Sequence, residues 1–194
     1  DSFRGKFNVF RNDVDDFIDL VASPPEFSPL GPRFGRFSRN FQYQNTAGAV
    51  IQGFEGEAVY DAGLWFIGVA GNLLDGESRD TGLGLANLIQ PKKIVTTAGV
   101  RLLEQRLVLS AQWLSFAAHE DIPPGFLPAT SGDLLNFYLA YHPTRDIALN
   151  FSVDNVLDKY YRPYAIPGSS TDGTTQNDVL FSSPGPGITF KGGM

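Results

Sequence analysis

The sequence has no cysteine, one methionine and two histidines, His119 and His142. Without cysteine there is no disulfide scaffold, no thiol nucleophile and no cysteine-ligated metal site. No run of about 18 apolar residues occurs, which excludes a transmembrane helix. Positive charge is scarce as well. Against 21 Asp and Glu stand 15 Lys and Arg, for a net charge of −6. No basic cluster is long enough to follow a phosphate backbone, so a nucleic-acid partner is not expected. Sustained helical spacing of apolar residues is missing too.

What is abundant is Phe (16), Gly (21) and Pro (13), a composition of strands and turns. The length fits one large all-β domain or two small ones. Period-2 alternation recurs along the chain. Phe3, Gly5, Phe7 and Val9 oppose Arg4, Lys6 and Asn8, and Phe54, Ala58 and Tyr60 oppose Glu55 and Glu57. Further on, Leu107, Leu109, Ala111 and Trp113 oppose Val108, Ser110 and Gln112, and Ile147, Leu149, Phe151 and Val153 oppose Asn150, Ser152 and Asp154. The connections follow a rule of their own. Short turns are expected at Asp61-Ala62-Gly63, Glu104-Gln105 and Thr144-Arg145-Asp146. Long segments fall at 23–39, 75–91, 119–133 and 155–186.

Alternating short and long connections arise when strands cross a slab, with every turn on one side and every loop on the other. Outer-membrane barrels have this pattern, with apolar residues facing lipid and polar residues facing the lumen. A crossing strand needs only about 9 to 11 residues. Phe3 to Ala22 and Phe41 to Tyr60 exceed that and are expected to project beyond the bilayer. Trp65, next to a short turn, suits the aromatic girdle at a membrane interface.

Several stretches resemble the TonB-dependent outer-membrane receptors. Phe10-Arg11-Asn12-Asp13-Val14-Asp15-Asp16-Phe17-Ile18 is similar to that family's aromatic–x–Asn–x–x–x–Asp–Phe–Ile signature. Phe41 to Ala49 and Ile51 to Glu57 resemble the strand that follows it. Val153-Asp154-Asn155-Val156-Leu157-Asp158-Lys159-Tyr160-Tyr161 resembles the end of the penultimate strand, and Ser183-Pro184-Gly185-Pro186-Gly187 the approach to the last. The set covers most of the chain in the family's order. Its Phe41-to-Glu57 block and Ser-Pro-Gly-Pro-Gly stretch look most like heme and hemoglobin receptors.

The resemblance implies an all-β fold: an antiparallel meander of about eight strands, part of a transmembrane barrel of about 22. Residues 1–194 would be its C-terminal segment. Asp1-Ser2-Phe3 leads directly into alternation and the end at Met194 is equally abrupt, so the chain is expected to be a piece of a longer protein whose plug domain and earlier strands lie elsewhere. The implied function is active transport across the bacterial outer membrane of heme, hemoglobin-derived heme or another iron chelate. Its implied partners are membrane lipid, the TonB energy-coupling complex acting through the plug, and a heme, hemoglobin or siderophore ligand. The alternatives are a siderophore or other TonB-dependent substrate and, from a different class, a soluble β-sandwich binding module.

Candidate chemistry is sparse, and no enzymatic activity, catalytic residue, metal site or cofactor within the segment is expected. Glu55 and Glu57 share a strand face. They fit a polar lumen better than a general acid–base pair, although a glycoside-cleaving β-protein would also use two carboxylates. His142 precedes Pro143 at a short turn and reads as structural. His119, beside Glu120 and Asp121 in a long connection, is the one candidate ligand-binding residue. Gly82-Leu83-Gly84-Leu85 lacks the strand-to-helix setting of a dinucleotide site. Asp13, Asp15, Asp16 and Asp19 lack the glycine and terminal glutamate of a calcium loop, and alternation separates Asp16 from the rest.

Overall fold

The computed structural model describes residues 2–24, 26–28, 36–38, 40–85, 89–118, 122, 126–162, 166–167 and 184–194. His119, Pro123-Pro124-Gly125 and the Ser/Thr/Gly run 168–175 lie outside them. The strands are β1 (Ser2–Ala22), β2 (Glu26–Ser28), β3 (Arg36–Ser38), β4 (Phe41–Asp61), β5 (Trp65–Ser78), β6 (Lys93–Leu102), β7 (Leu107–Phe116), β8 (Phe126–Leu127), β9 (Gly132–Tyr141), β10 (Leu149–Asp154), β11 (Ile166–Pro167) and β12 (Thr189–Gly193).

Eight of them form one antiparallel sheet in the order β1-β4-β5-β6-β7-β9-β10-β12, a meander of sequential neighbours with two outer edges. The two-stranded ribbons β2/β3 and β8/β11 sit in the long connections. The long β1 and β4 pair from Ser2↔Asp61 to Ala22↔Phe41. Short turns close the sheet at 62–64 and 103–106, as the sequence predicts. At the second, Leu103, Glu104 and Gln105 all have positive φ, between 52° and 69°. The third connection, 142–148, is longer than a hairpin turn, because strand pairing begins at Leu149 rather than at Ile147.

A single sheet has no second layer, so alternation must divide its two faces between different solvents. Phe3, Phe7 and Phe190, on the outer face, are 71%, 79% and 73% exposed. Leaving a side chain of that size in water forgoes about 1.5–3 kcal/mol relative to an apolar medium. The buried apolar side chains among the described residues lie elsewhere. Ala49, Phe116 and Leu134 are on the opposite face, and Leu85, Ile89, Phe126, Leu127 and Ala129 are in the connections. The sandwich alternative would require the outer Phe, Leu and Ile to meet another sheet, and among the described residues they do not.

Candidate functional site: lipid-facing wall and outer mouth

The register defines the wall. Outward positions are apolar, with Thr96 on β6 the exception, from Phe3 to Val9 on β1, Tyr60 to Phe54 on β4, Trp65 to Leu73 on β5, Leu102 to Ile94 on β6, Leu107 to Trp113 on β7, Tyr141 to Leu135 on β9 and Leu149 to Val153 on β10. Polar residues take over beyond them, but not on one rung. On β1, β4 and β5 the first are Arg11, Gln52 and Asp75, which face one another across the strands. On β7 and β9 they are Ser115 and Asp133, whose rung runs through Ile94 to Gly71, four residues short of Asp75. The belt therefore drifts diagonally across the ladder, as it must when strands tilt by roughly 35–45° from the membrane normal.

Both tryptophans sit at belt margins. Trp65 packs its ring 5.4 Å from that of Tyr60 at the short-turn side, in keeping with the girdle expected there. Trp113 was not singled out from sequence. It lies at the loop side and donates from Nε1 to Asp133 Oδ1 at 3.0 Å, an apolar ring with a polar anchor. Its outward parity, one residue pair from the carboxylate of Asp133, was the available signal.

The inner face is polar and internally paired. Lys6 and Glu57 face each other at 3.2 Å across β1 and β4. Glu55 lines the same recess of about 710 Å³, whose walls include Asn72, Gln90 and Lys93. This is a lumen-like setting for both glutamates. At the short-turn end Arg101 clips Asp61 with two bonds of 2.9 Å and lies over the Phe66 ring, 4.7 Å from its centroid. Hydrogen bonds from Arg101 and the Gly63 amide hold the Asp61 carboxyl below its ordinary value of 3.8. The His142 backbone N–H donates to Arg106 O at 2.8 Å, joining the turn 103–106 to the connection 142–148.

Above the belt, the acidic run is arranged by a distant arginine. Arg79 reaches across β4 to Asp15 at 2.6 Å and Asp13 at 3.0 Å, while Arg11 also meets Asp13 at 3.3 Å. Arg79, then Arg11, keeps the Asp13 carboxyl below 3.8, and the two aspartates raise Arg79. Asp16 has a left-handed φ of 52°, which turns it out of phase with its neighbours. Asp19 is buried and its Oδ1 accepts from the Leu20 N–H. Among the described residues no group of three or more His, Cys, Asp or Glu is placed to hold a metal ion.

The long connections fold over the inner face at this end. Leu85 and Ile89 pack with Ala49, Phe17, Ile51 and Leu74. Gly76 makes this possible, since a Cβ there would collide with the Ile89 side chain. Gly82-Leu83-Gly84-Leu85 thus supplies a buried apolar plug for the wall, and Gly84 forms a bridge to Glu77. From the connection after β7 Phe126 meets Phe41 edge-on at 5.3 Å, and from the one after β10 Tyr161 meets Phe116 at 5.6 Å.

The exit from β10 is built around Asn155, which is 2% exposed with φ 51°. Its N–H donates to Asn136 Oδ1 at 2.8 Å, its Nδ2 donates to Lys159 O and Pro186 O, and its Oδ1 accepts from the Lys159 N–H. Asp158 Oδ1 then accepts from the Ile188 N–H at 3.0 Å. The Gly185 N–H donates to Tyr161 O at 2.8 Å, and a Cβ on Gly185 would overlap the Tyr161 ring. Two sequence motifs far apart in the chain are therefore two halves of one joint.

An unbacked apolar belt, a polar inner face and loops gathered at one end define the wall of a transmembrane β-barrel. Residues 1–178 match the family described as TonB dependent receptor-like, beta-barrel, and the chain belongs to that family. It is 29% identical over 170 residues to heme/hemopexin utilization protein C of Haemophilus influenzae strain 86-028NP, covering 84% of this chain and 23% of that protein. To TonB-dependent heme receptor A of Haemophilus ducreyi it is 31% identical over 142 residues, covering 63% of this chain and 19% of the relative. The chain thus spans about a quarter or less of the curated relatives it matches. In fold it resembles the copper transporter OprC, with a TM-score of 0.70 at 21% identity over 98% of this chain and 28% of that one. It also resembles a mutant of the ferric enterobactin receptor PfeA from Pseudomonas aeruginosa in complex with enterobactin, with a TM-score of 0.62 at 20% identity over 96% of this chain and 28% of that one.

Proposed function

We propose that this chain is the C-terminal part of the barrel of a TonB-dependent receptor in the bacterial outer membrane, and that the parent protein imports heme. The observation that carries the membrane role is the apolar belt, which has no protein layer behind it among the described residues. Support for heme comes from the names of the relatives that align over most of the chain. In this reading the segment contributes pore wall and extracellular loops, and it makes and breaks no bonds. The plug and the remaining strands, to a total of about 22, complete the barrel, and the TonB complex drives transport through the plug.

The test is nutritional. A strain carrying the parent as its sole receptor of this class is expected to grow with heme as the only iron source and to lose growth when TonB is removed. Growth on a ferric siderophore but not on heme would replace the ligand and keep the fold. Absence of the parent from outer-membrane fractions would overturn the whole reading. His119, outside the described residues, enters the same assay as His119→Ala: a direct role in ligand capture predicts reduced growth on heme with normal amounts of receptor.

A further inference from the structure

A trough of about 800 Å³ is cut into the lipid-facing side of the wall, running across β5, β6, β7, β9 and β10 between two outward rungs. One rung passes from Trp65 through Val100 and Leu109 to Phe151. The other passes from Ile67 through Ala98 and Ala111 to Phe137. Side chains of the rung between them, from Phe66 to Ser152, turn to the inner face, so the floor of the trough is paired backbone. Ala98 and Ala111 keep the second wall low at its middle, while Ile67 and Phe137 stand at either side. Every strand that lines the trough is paired on both edges, so its walls are complete within this chain.

Its dimensions narrow the class of occupant. Interstrand spacings of about 4.8 Å make the trough about 19 Å long, and rungs two residues apart make it about 7 Å wide, room for one hydrocarbon chain. Its course is not level. Trp65 lies farther from Asp75 along β5 than Leu139 lies from Asp133 along β9, so the trough climbs from the turn-side margin toward the loops. With strands tilted by roughly 35–45°, the climb is about 12 Å, within the ~15 Å depth of one leaflet. The low end opens beside the paired rings of Trp65 and Tyr60, at headgroup depth. A chain entering there meets protein on three sides, whereas on a level part of the belt it meets protein on one, and dispersion attraction grows with every added contact.

Resting on the membrane reading and not on the choice of heme, we propose that this trough binds one acyl chain of a phospholipid of the periplasmic leaflet, held apart from the lipid that merely surrounds the barrel. The probe is phosphatidylethanolamine carrying a diazirine in one acyl chain, added in trace amount to phosphatidylethanolamine vesicles that contain the full-length parent. After photolysis, mass spectrometry of peptides maps the labelled positions. The trough rows are expected to carry about fivefold more label per outward residue than the row around Phe7 on β1, which lies in the same belt without a trough. Ala98→Leu combined with Ala111→Leu fills the trough and should bring the two rows to parity. Should that variant fail to insert, Ala111→Val alone is scored by the same ratio and should lower it. Equal labelling of the two rows in wild type overturns the proposal and leaves the membrane reading standing. An excess that survives the filling overturns it as well, since the label then reports side-chain reactivity and not a held chain. If no outward row is labelled, the membrane reading fails and takes the proposal with it.

Discussion

The β1/β4 hairpin and the β10/β12 pair solve one problem in two ways. Both must carry the chain from lipid into the outer loops. The first does so with backbone, the ladder keeping one register past Arg11 and Gln52 to Ala22 and Phe41, far beyond the apolar belt, with a single interruption at Asp16. The second stops almost at once, with pairing confined to Asn150↔Gly193 through Asp154↔Thr189. There, side chains replace the ladder: Asn155, Asp158 and the close approach of Gly185 satisfy the groups that shortened strands leave open. A long hairpin spreads its stability over many equivalent bonds, whereas the short pair concentrates it in one amide. The two regions should therefore fail differently when altered.

The largest effect is expected at that amide. Asn155→Ala removes three side-chain hydrogen bonds and puts a Cβ-bearing residue with no compensating polar group at positive φ, at a cost of about 4 kcal/mol. Asn12→Ala, at an exposed position in the long ladder, should stay within about 0.5 kcal/mol. Thermal unfolding of the parent barrel in detergent measures both, and equal losses would erase the contrast. Next comes Phe7→Arg, a charge in the middle of the β1 belt, expected to cost about 2–4 kcal/mol in lipid. Arg11 already occupies the same outward row two rungs on, so the penalty marks the lipid boundary, and a neutral outcome would move it. Gly185→Val forces Tyr161 off its seat and should cost about 2 kcal/mol, read by the same unfolding assay.

The smallest effect belongs to the exposed Arg79 tie. Because the folded-state pKa of Asp13 is lowered, its contribution is present above the ordinary 3.8 and is lost as pH falls through the lowered value. A spin label at Thr81→Cys should therefore gain mobility on acidification in the native background, and should already be mobile at neutral pH in Arg79→Ala. No difference between the two backgrounds at neutral pH would mean that the connection is held by Leu85 and Ile89 alone.

Strand phase was legible because a face that meets lipid tolerates few polar exceptions over four or five consecutive outward positions, as Phe3 to Val9 and Leu107 to Trp113 illustrate; Thr96 on β6 is one such exception. The order of turns and loops was legible for the same reason. Asn155 was not recognised as a buried hub, since its partners Asn136, Lys159 and Pro186 are set by tertiary contact and leave no period in the sequence. Leu85 and Ile89 were hidden in a connection rich in glycine, where nothing local announces burial. The reach of Arg79 over a whole strand to Asp13 and Asp15 is likewise visible only once the register is known.

The diagonal course of the greasy band carries one more consequence. Each hairpin is cut to the height at which it enters the wall, so no two neighbours are interchangeable even where their own alternation is faultless. Transplanting β7 and β9 into the berth of β4 and β5 would sink Asp133 among acyl chains. The order of staves around the cask is thus written into where each one turns from oil-loving to water-loving.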